Sequence, residues 1–293
     1  MKPVAWVMVL IVAGLASAAS GPVKVGGMVV VRAADPGADD LRPEGACVEV
    51  FSSDGRFLAR TATGRVGQYA LTLEDASPGD ELYIRAKLTV AEVELTTGRR
   101  AKVNERGNVY VPDLVFVNLN DAELSRSGVS WHSKTGDVEI RASAGSFERV
   151  WARALDPEFD RAFFPGRYQD ADGYRSLGFL FVAARGASVQ GMGPLAEPVT
   201  VFFALPSTHR YYLRDIRPGN GSYDVPMYYF DEDRGVWAQG PMGVLVDAEH
   251  RTVPETEAAR VTADRSGRYF VRFQAARFSY WNARGKLPPC PQK

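Results

Sequence analysis

Apolar residues fall at every second position through much of this chain. Val48 and Val50, Tyr69 with Leu71 and Leu73, Leu82 with Ile84 and Ala86, and Val138 with Ile140 repeat with the two-residue period of a strand that buries one face. Turn residues separate the runs, among them Ser53-Asp54-Gly55, Thr63-Gly64 and Ser77-Pro78-Gly79-Asp80. Two later runs, LGFLFVAARG and EPVTVFFALP, are apolar almost throughout, which predicts strands covered on both faces. The clearest local signal lies between Ser222 and Pro241. Val225 to Phe230, an acidic turn Asp231-Glu232-Asp233-Arg234-Gly235, and Val236-Trp237 predict a β-hairpin.

One run is ambiguous by period alone. In SFERVWARALDPEFD, Phe147, Val150, Trp151, Ala154 and Leu155 also fit a helical face, and a strand ending at Asp156-Pro157 is preferred because every neighbouring segment is β. The expected fold class is all-β: two tandem antiparallel β-sandwiches over residues 22–117 and 118–285, with a tail over 286–293.

The amino terminus changes where such a fold would work. Met1-Lys2, an apolar run from Pro3 to Leu15 and the small-residue site Ala16-Ser17-Ala18 predict a signal peptide over residues 1–18. The expected localisation is secreted, periplasmic or cell surface, and no later run reaches the roughly 20 apolar residues of a membrane span. Lys and Arg number 35 and Asp and Glu also 35, without a basic stripe, so no nucleic-acid partner is expected. An oxidising compartment bears on Cys47, on the outward side of GACVEVF, and Cys290, in the terminal PPCPQK. A bridge between them, free thiols and an intermolecular bridge are all open, because pairing cannot be read from sequence.

Within 22–117, Val25-Gly26-Gly27-Met28-Val29, Gly45-Ala46-Cys47-Val48-Glu49-Val50, Thr61 and Gly67-Gln68-Tyr69-Ala70-Leu71 follow one another in an order that resembles the carboxypeptidase regulatory-like, transthyretin-type domain. That resemblance implies a β-sandwich spacer or binding module. Transthyretin-type hydrolases use His, and this segment has none. Over 118–285, Leu155-Asp156-Pro157 with Phe164-Pro165-Gly166, the Pro226 to Asp231 run with Gly235-Val236-Trp237, and Phe278-Ser279-Tyr280-Trp281-Asn282 resemble the extracellular β domain of cartilage intermediate layer protein and bacterial surface proteins. The family usually has His before Phe-Ser where this chain has Arg277, and it brings no catalytic residues.

Motifs for turnover are lacking. His132, His209 and His250 are far apart in sequence, with no HExxH or Cys/His cluster, no Gly-x-Ser-x-Gly and no phosphate loop. No catalytic, metal or cofactor residues are therefore expected. The acidic turns holding Asp170 and Asp172, and Asp231, Glu232 and Asp233, are weighed as calcium sites and read as ordinary turns because the full ligand pattern is missing. The aromatic and basic run His209 to Arg214 is weighed as a binding edge against a packed strand end. Lys24, Glu74 and Asn118 are weighed as an isopeptide trio against solvated strand ends. The resulting expectation is a non-enzymatic structural or adhesive protein presenting loops from rigid sheets to an unknown protein or glycan partner. The alternative is a hydrolase or carbohydrate-processing accessory with an unrecognised site.

Overall fold

The structure, a computed structural model, describes residues 21–33, 35, 37–166, 174–187, 189–210, 213 and 222–286. The expected signal peptide, the tail with Cys290, and Asp170 and Asp172 lie outside them. The fold is all-β. The first segment holds β1 (Val23–Arg32), β2 (Cys47–Ser52), β3 (Phe57–Ala62), β4 (Gln68–Leu73), β5 (Glu81–Val90), β6 (Val93–Lys102), β7 (Asn108–Tyr110) and β8 (Leu114–Val117). A four-residue helix α1 (Leu119–Ala122) follows, with β9 (Ser125–Ser127), β10 (Ser130–His132), β11 (Val138–Arg141) and β12 (Arg149–Leu155). The chain continues through β13 (Tyr174–Arg185), β14 (Gln190–Gly191), β15 (Gly193–Ala204), β16 (Asp224–Asp231) and β17 (Val236–Val246). It closes with α2 (Ala258–Ala263), β18 (Phe270–Phe278) and β19 (Tyr280–Lys286).

A small sheet is ordered β4-β1-β7, with β8 continuing along β1. β1 is antiparallel to β4 but parallel to β7 and β8. The larger sheet runs β3-β2-β5-β6-β14-β13-β19-β16-β17-β18-β15-β11-β10-β9, with β12 also paired to β13. The first and second segments join in this sheet at one parallel pairing, Gly191 opposite Glu94. Gly191 has φ of 118°, and the Glu94 backbone occupies the space a Cβ would take, so only glycine lets the strands meet.

Two main apolar cores lie on either side of one wall of strands. On β13, Phe179, Phe181 and Ala183 enter the first core while Leu180, Val182 and Ala184 enter the second. β12 divides likewise, with Trp151 and Leu155 on one side and Val150 and Ala152 on the other. β16 sends Val225 and Met227 into the second core and Phe230 into the first. The continuous apolar spelling of LGFLFVAA thus reflects a strand with a different core on each face. The first core also holds Val25, Val48, Ile84 and Phe116, so apolar packing continues across the 117/118 boundary.

Sequence expectations meet this architecture in several places. Within SFERVWARAL, Arg149 to Leu155 form a strand, pairing with β13 over seven successive residues. The 222–241 hairpin forms as β16 and β17. β6 was not among the expected strands. Asn118, placed on a strand by the isopeptide comparison, is the N-cap of α1, its side chain accepting the Asn120 N–H at 3.1 Å. Lys24 and Arg32 lie on one strand, and Val117 pairs with Arg32, so Lys24 and Asn118 stand about 26 Å apart, too far for an isopeptide bond.

Candidate functional site

The loop after β1 and the turn after β12 open at the same end of the wall. Between Asp156 and Asp160 the chain folds back on itself. The Asp160 N–H donates to the Asp156 carbonyl at 2.8 Å, and the Asp156 N–H donates to Asp160 Oδ2 at 2.9 Å. Asp156 Oδ1 accepts the Glu158 N–H at 2.8 Å. This closed turn leaves Phe159 pointing out, 78% exposed, whereas Phe163 and Phe164 four and five residues later are buried. Phe164 is fixed between Phe179 and Trp237, with ring centroids 5.0 and 4.7 Å away.

Between this turn and the 33–43 loop lies a cleft of about 730 Å³. Two ion pairs line it, one on each side. Arg32 Nε meets Asp40 Oδ2 at 3.2 Å, and Arg153 Nη2 donates to Asp160 Oδ1 at 3.1 Å. The Arg153 guanidinium lies over the Phe163 ring at 5.1 Å, and its buried Nη1 has no acceptor among the described residues. Burial pushes the Asp160 carboxyl above the usual aspartate range, and the Asp156 N–H and Arg153 oppose the shift.

A second chamber of about 310 Å³ shares Asp160 and is lined by Asp137, Asp156, Arg210, Arg268 and Tyr269. Arg268 Nη2 donates to Asp137 Oδ1 at 2.5 Å. Arg210 is only 5% exposed; its Nη1 donates to the Asp264 carbonyl at 2.8 Å, its guanidinium lies 5.1 Å from the Tyr269 ring, and its Nε has no acceptor among the described residues. A third recess of about 170 Å³ shares Arg153 with the first chamber and Asp137 and Ala154 with the second. The three are neighbouring cavities around Arg153 and Asp160.

Geometry argues against a nucleophilic relay here. His209 Nδ1 is 2.9 Å from Thr208 Oγ1 and 3.8 Å from Asp156 Oδ1, so hydroxyl and carboxylate address one ring nitrogen, whereas a triad uses both. Of the expected edge His209 to Arg214, Arg210 and Leu213 are buried, and Tyr211, Tyr212 and Arg214 lie outside the described residues.

The other singled-out residues have structural roles. Asp231 Oδ1 accepts the N–H groups of Asp233 and Arg234, at 3.1 and 3.0 Å. Glu232 turns inward, accepting from the Ser279 hydroxyl and, at 2.6 Å, from Arg277 Nη2, while Asp233 pairs with Arg85 at 2.8 Å. These carboxylates diverge, and no group of ligands suited to a metal ion occurs among the described residues. Arg277 anchors the hairpin turn through this ion pair. Cys47 is a half-buried thiol on β2, between Ala62 of β3 and Lys87 of β5.

Two histidines separated in sequence do converge. His132 Nδ1 is 4.0 Å and His250 Nδ1 3.5 Å from Glu139 Oε2. Arg141 places Nη2 3.0 Å from His250 Nδ1 and Nε 2.5 Å from Glu139 Oε1. A guanidinium can only donate, so His250 Nδ1 accepts, and a cation at that nitrogen is excluded by the fixed charge. His250 stacks on Phe202 at 4.1 Å in a left-handed backbone conformation, φ 61°. The missed cleft residues, Arg32, Arg153, Phe159 and Asp160, carried a faint signal in LDPEFD, where an aromatic stands between acids just after Asp-Pro. Comparison with family models, curated proteins and solved structures gives no match to this chain.

Proposed function

We propose that this chain is a non-enzymatic binding protein of the cell exterior or envelope, using the groove between the 33–43 loop and the Asp156–Asp160 turn to hold its partner. The carrying observation is the groove itself: loops anchored on packed strands, lined by side chains already fixed in pairs, with one large aromatic left in solvent. The expected signal peptide supports the location. The resemblance to regulatory-like and extracellular β domains supports a scaffold role, although fold alone does not fix function.

The second reading, a carbohydrate-processing enzyme, is favoured by one observation, the raised Asp160 carboxyl beside Asp156. Asp160, however, is engaged by the Asp156 N–H and by Arg153, and Asp156 by the Glu158 N–H, which leaves neither as an unencumbered acid or base. The test is retention of partners by purified protein from a cell-surface extract and on a glycan panel, with Asp160→Asn and Phe159→Ala as cleft variants. Micromolar retention weakened by the cleft variants, without turnover of the retained material, is the expected result. Retention of nothing overturns the binding reading, and consumption of a glycan blocked by Asp160→Asn establishes the enzyme.

A further inference from the structure

Resting on the binding reading, we infer that the groove takes a neutral oligosaccharide, one sugar ring stacked on Phe159 and its hydroxyls bridging the Arg–Asp pairs. The main chamber carries three arginines, Arg32, Arg42 and Arg153, against four aspartates, Asp35, Asp39, Asp40 and Asp160. A phosphorylated or sulfated ligand would meet those carboxylates, and a polycation would meet those guanidiniums. A hydroxyl is donor and acceptor at once, and it suits a surface on which both roles are presented side by side.

The ion pairs leave capacity for it. An arginine has five N–H donors and a carboxylate about four lone-pair sites, so the Arg153 contact and the Asp156 N–H together leave about half of Asp160's capacity and most of Arg153's. Phe159 supplies the apolar platform that a sugar's C–H face requires. Its turn is closed by the three hydrogen bonds between residues 156 and 160, so the backbone that carries the ring is already ordered. The second chamber, which shares Asp160 with the first, repeats the design with Tyr269 beside Arg210 and the Arg268–Asp137 pair, which favours a chain of sugars over a single one.

Titration calorimetry of the full chain with neutral gluco-, manno- and xylo-oligosaccharides of four to six units, at low and high NaCl, tests this. Binding of at least one series is expected, with an affinity that changes by less than about threefold with salt because no net charge is neutralised. Phe159→Ala should weaken it by about tenfold or more, and Phe159→Trp should retain it. Phe159 is solvent-exposed, so an unchanged melting temperature separates this loss from misfolding. Binding restricted to acidic glycans, strongly salt-dependent affinity, or an unaffected Phe159→Ala variant overturns the inference. Capture of a protein from the surface extract that Phe159→Ala weakens, with no oligosaccharide bound, also overturns it and leaves the binding reading standing; capture of nothing at all removes both.

Discussion

Tyr83 shows how much one side chain can settle. Its ring lies between Gly98 and Gly235, at both of which an added Cβ would strike it, and its hydroxyl donates to the Glu232 carbonyl at 2.9 Å. Gly235 also has φ of 64°. Gly235→Ala therefore combines backbone strain with overpacking and should cost about 2–4 kcal/mol, read as a lowered melting temperature; an unchanged midpoint would refute the seat described for Tyr83. The turn at Gly235 was legible in the sequence, but Tyr83 was not, because its partner is 149 positions away. The same distance problem hid His250, 109 positions beyond Arg141. His250 is held below its ordinary value of 6.5, first by burial, with Glu139 and Asp247 opposing and Arg141 and His132 reinforcing the shift. The unfolded chain thus takes up this proton first as pH falls, so the stability tied to neutral His250 is complete above about pH 6.5 and is lost on acidification. His250→Asn keeps a residue tolerant of the left-handed backbone but removes the titration. Melting curves between pH 7 and 5 should fall less steeply for it than for the parent, and identical slopes would exclude His250 as the group responsible.

At the scale of elements, the strands with clean alternation or continuous apolar spelling were legible, and β6 was not. Its sequence, VELTTGRRAK, is polar because it forms part of the seam with the second segment. Thr96 and Thr97 are buried there, Arg99 Nη2 donates to the Ala162 carbonyl at 2.6 Å, and Arg100 donates to the carbonyls of Gly235 and Arg234, each at 3.0 Å. Periodicity arguments assume that buried means apolar, and a strand that docks through hydrogen bonds breaks that assumption. Arg100→Ala leaves two carbonyls without this donor and should destabilise by about 1–3 kcal/mol. Hydrogen exchange should quicken at the β16–β17 turn while the β13–β19 ladder stays protected; equal acceleration in both would mean that Arg100 supports the whole sheet. The cleft was legible only in outline. Its loop compositions marked turns, but which loops share an end of the molecule depends on strand order, which no local pattern encodes.

For the whole molecule, alternation revealed the all-β class without revealing that β12, β13, β16 and β19 serve two cores at once. A period-2 pattern says that a face is buried, not what it is buried against. Because removing either core would bare one side of that wall, urea unfolding is expected to be a single transition, coincident by far-UV circular dichroism and by fluorescence of Trp131, Trp151, Trp237 and Trp281. Two resolved transitions would show that the segments before and after residue 117 are independent. The placement of the first and last strands has a mechanical side. β1 is flanked by β4 and by β7 and β8, and β19 lies between β13 and β16, so neither is an outer strand. Cross-strand hydrogen bonds lie across the strand axis. Tension drawn along either strand is shared by many bonds sliding together, the geometry of a lap joint, where a strand on the rim would unzip bond by bond.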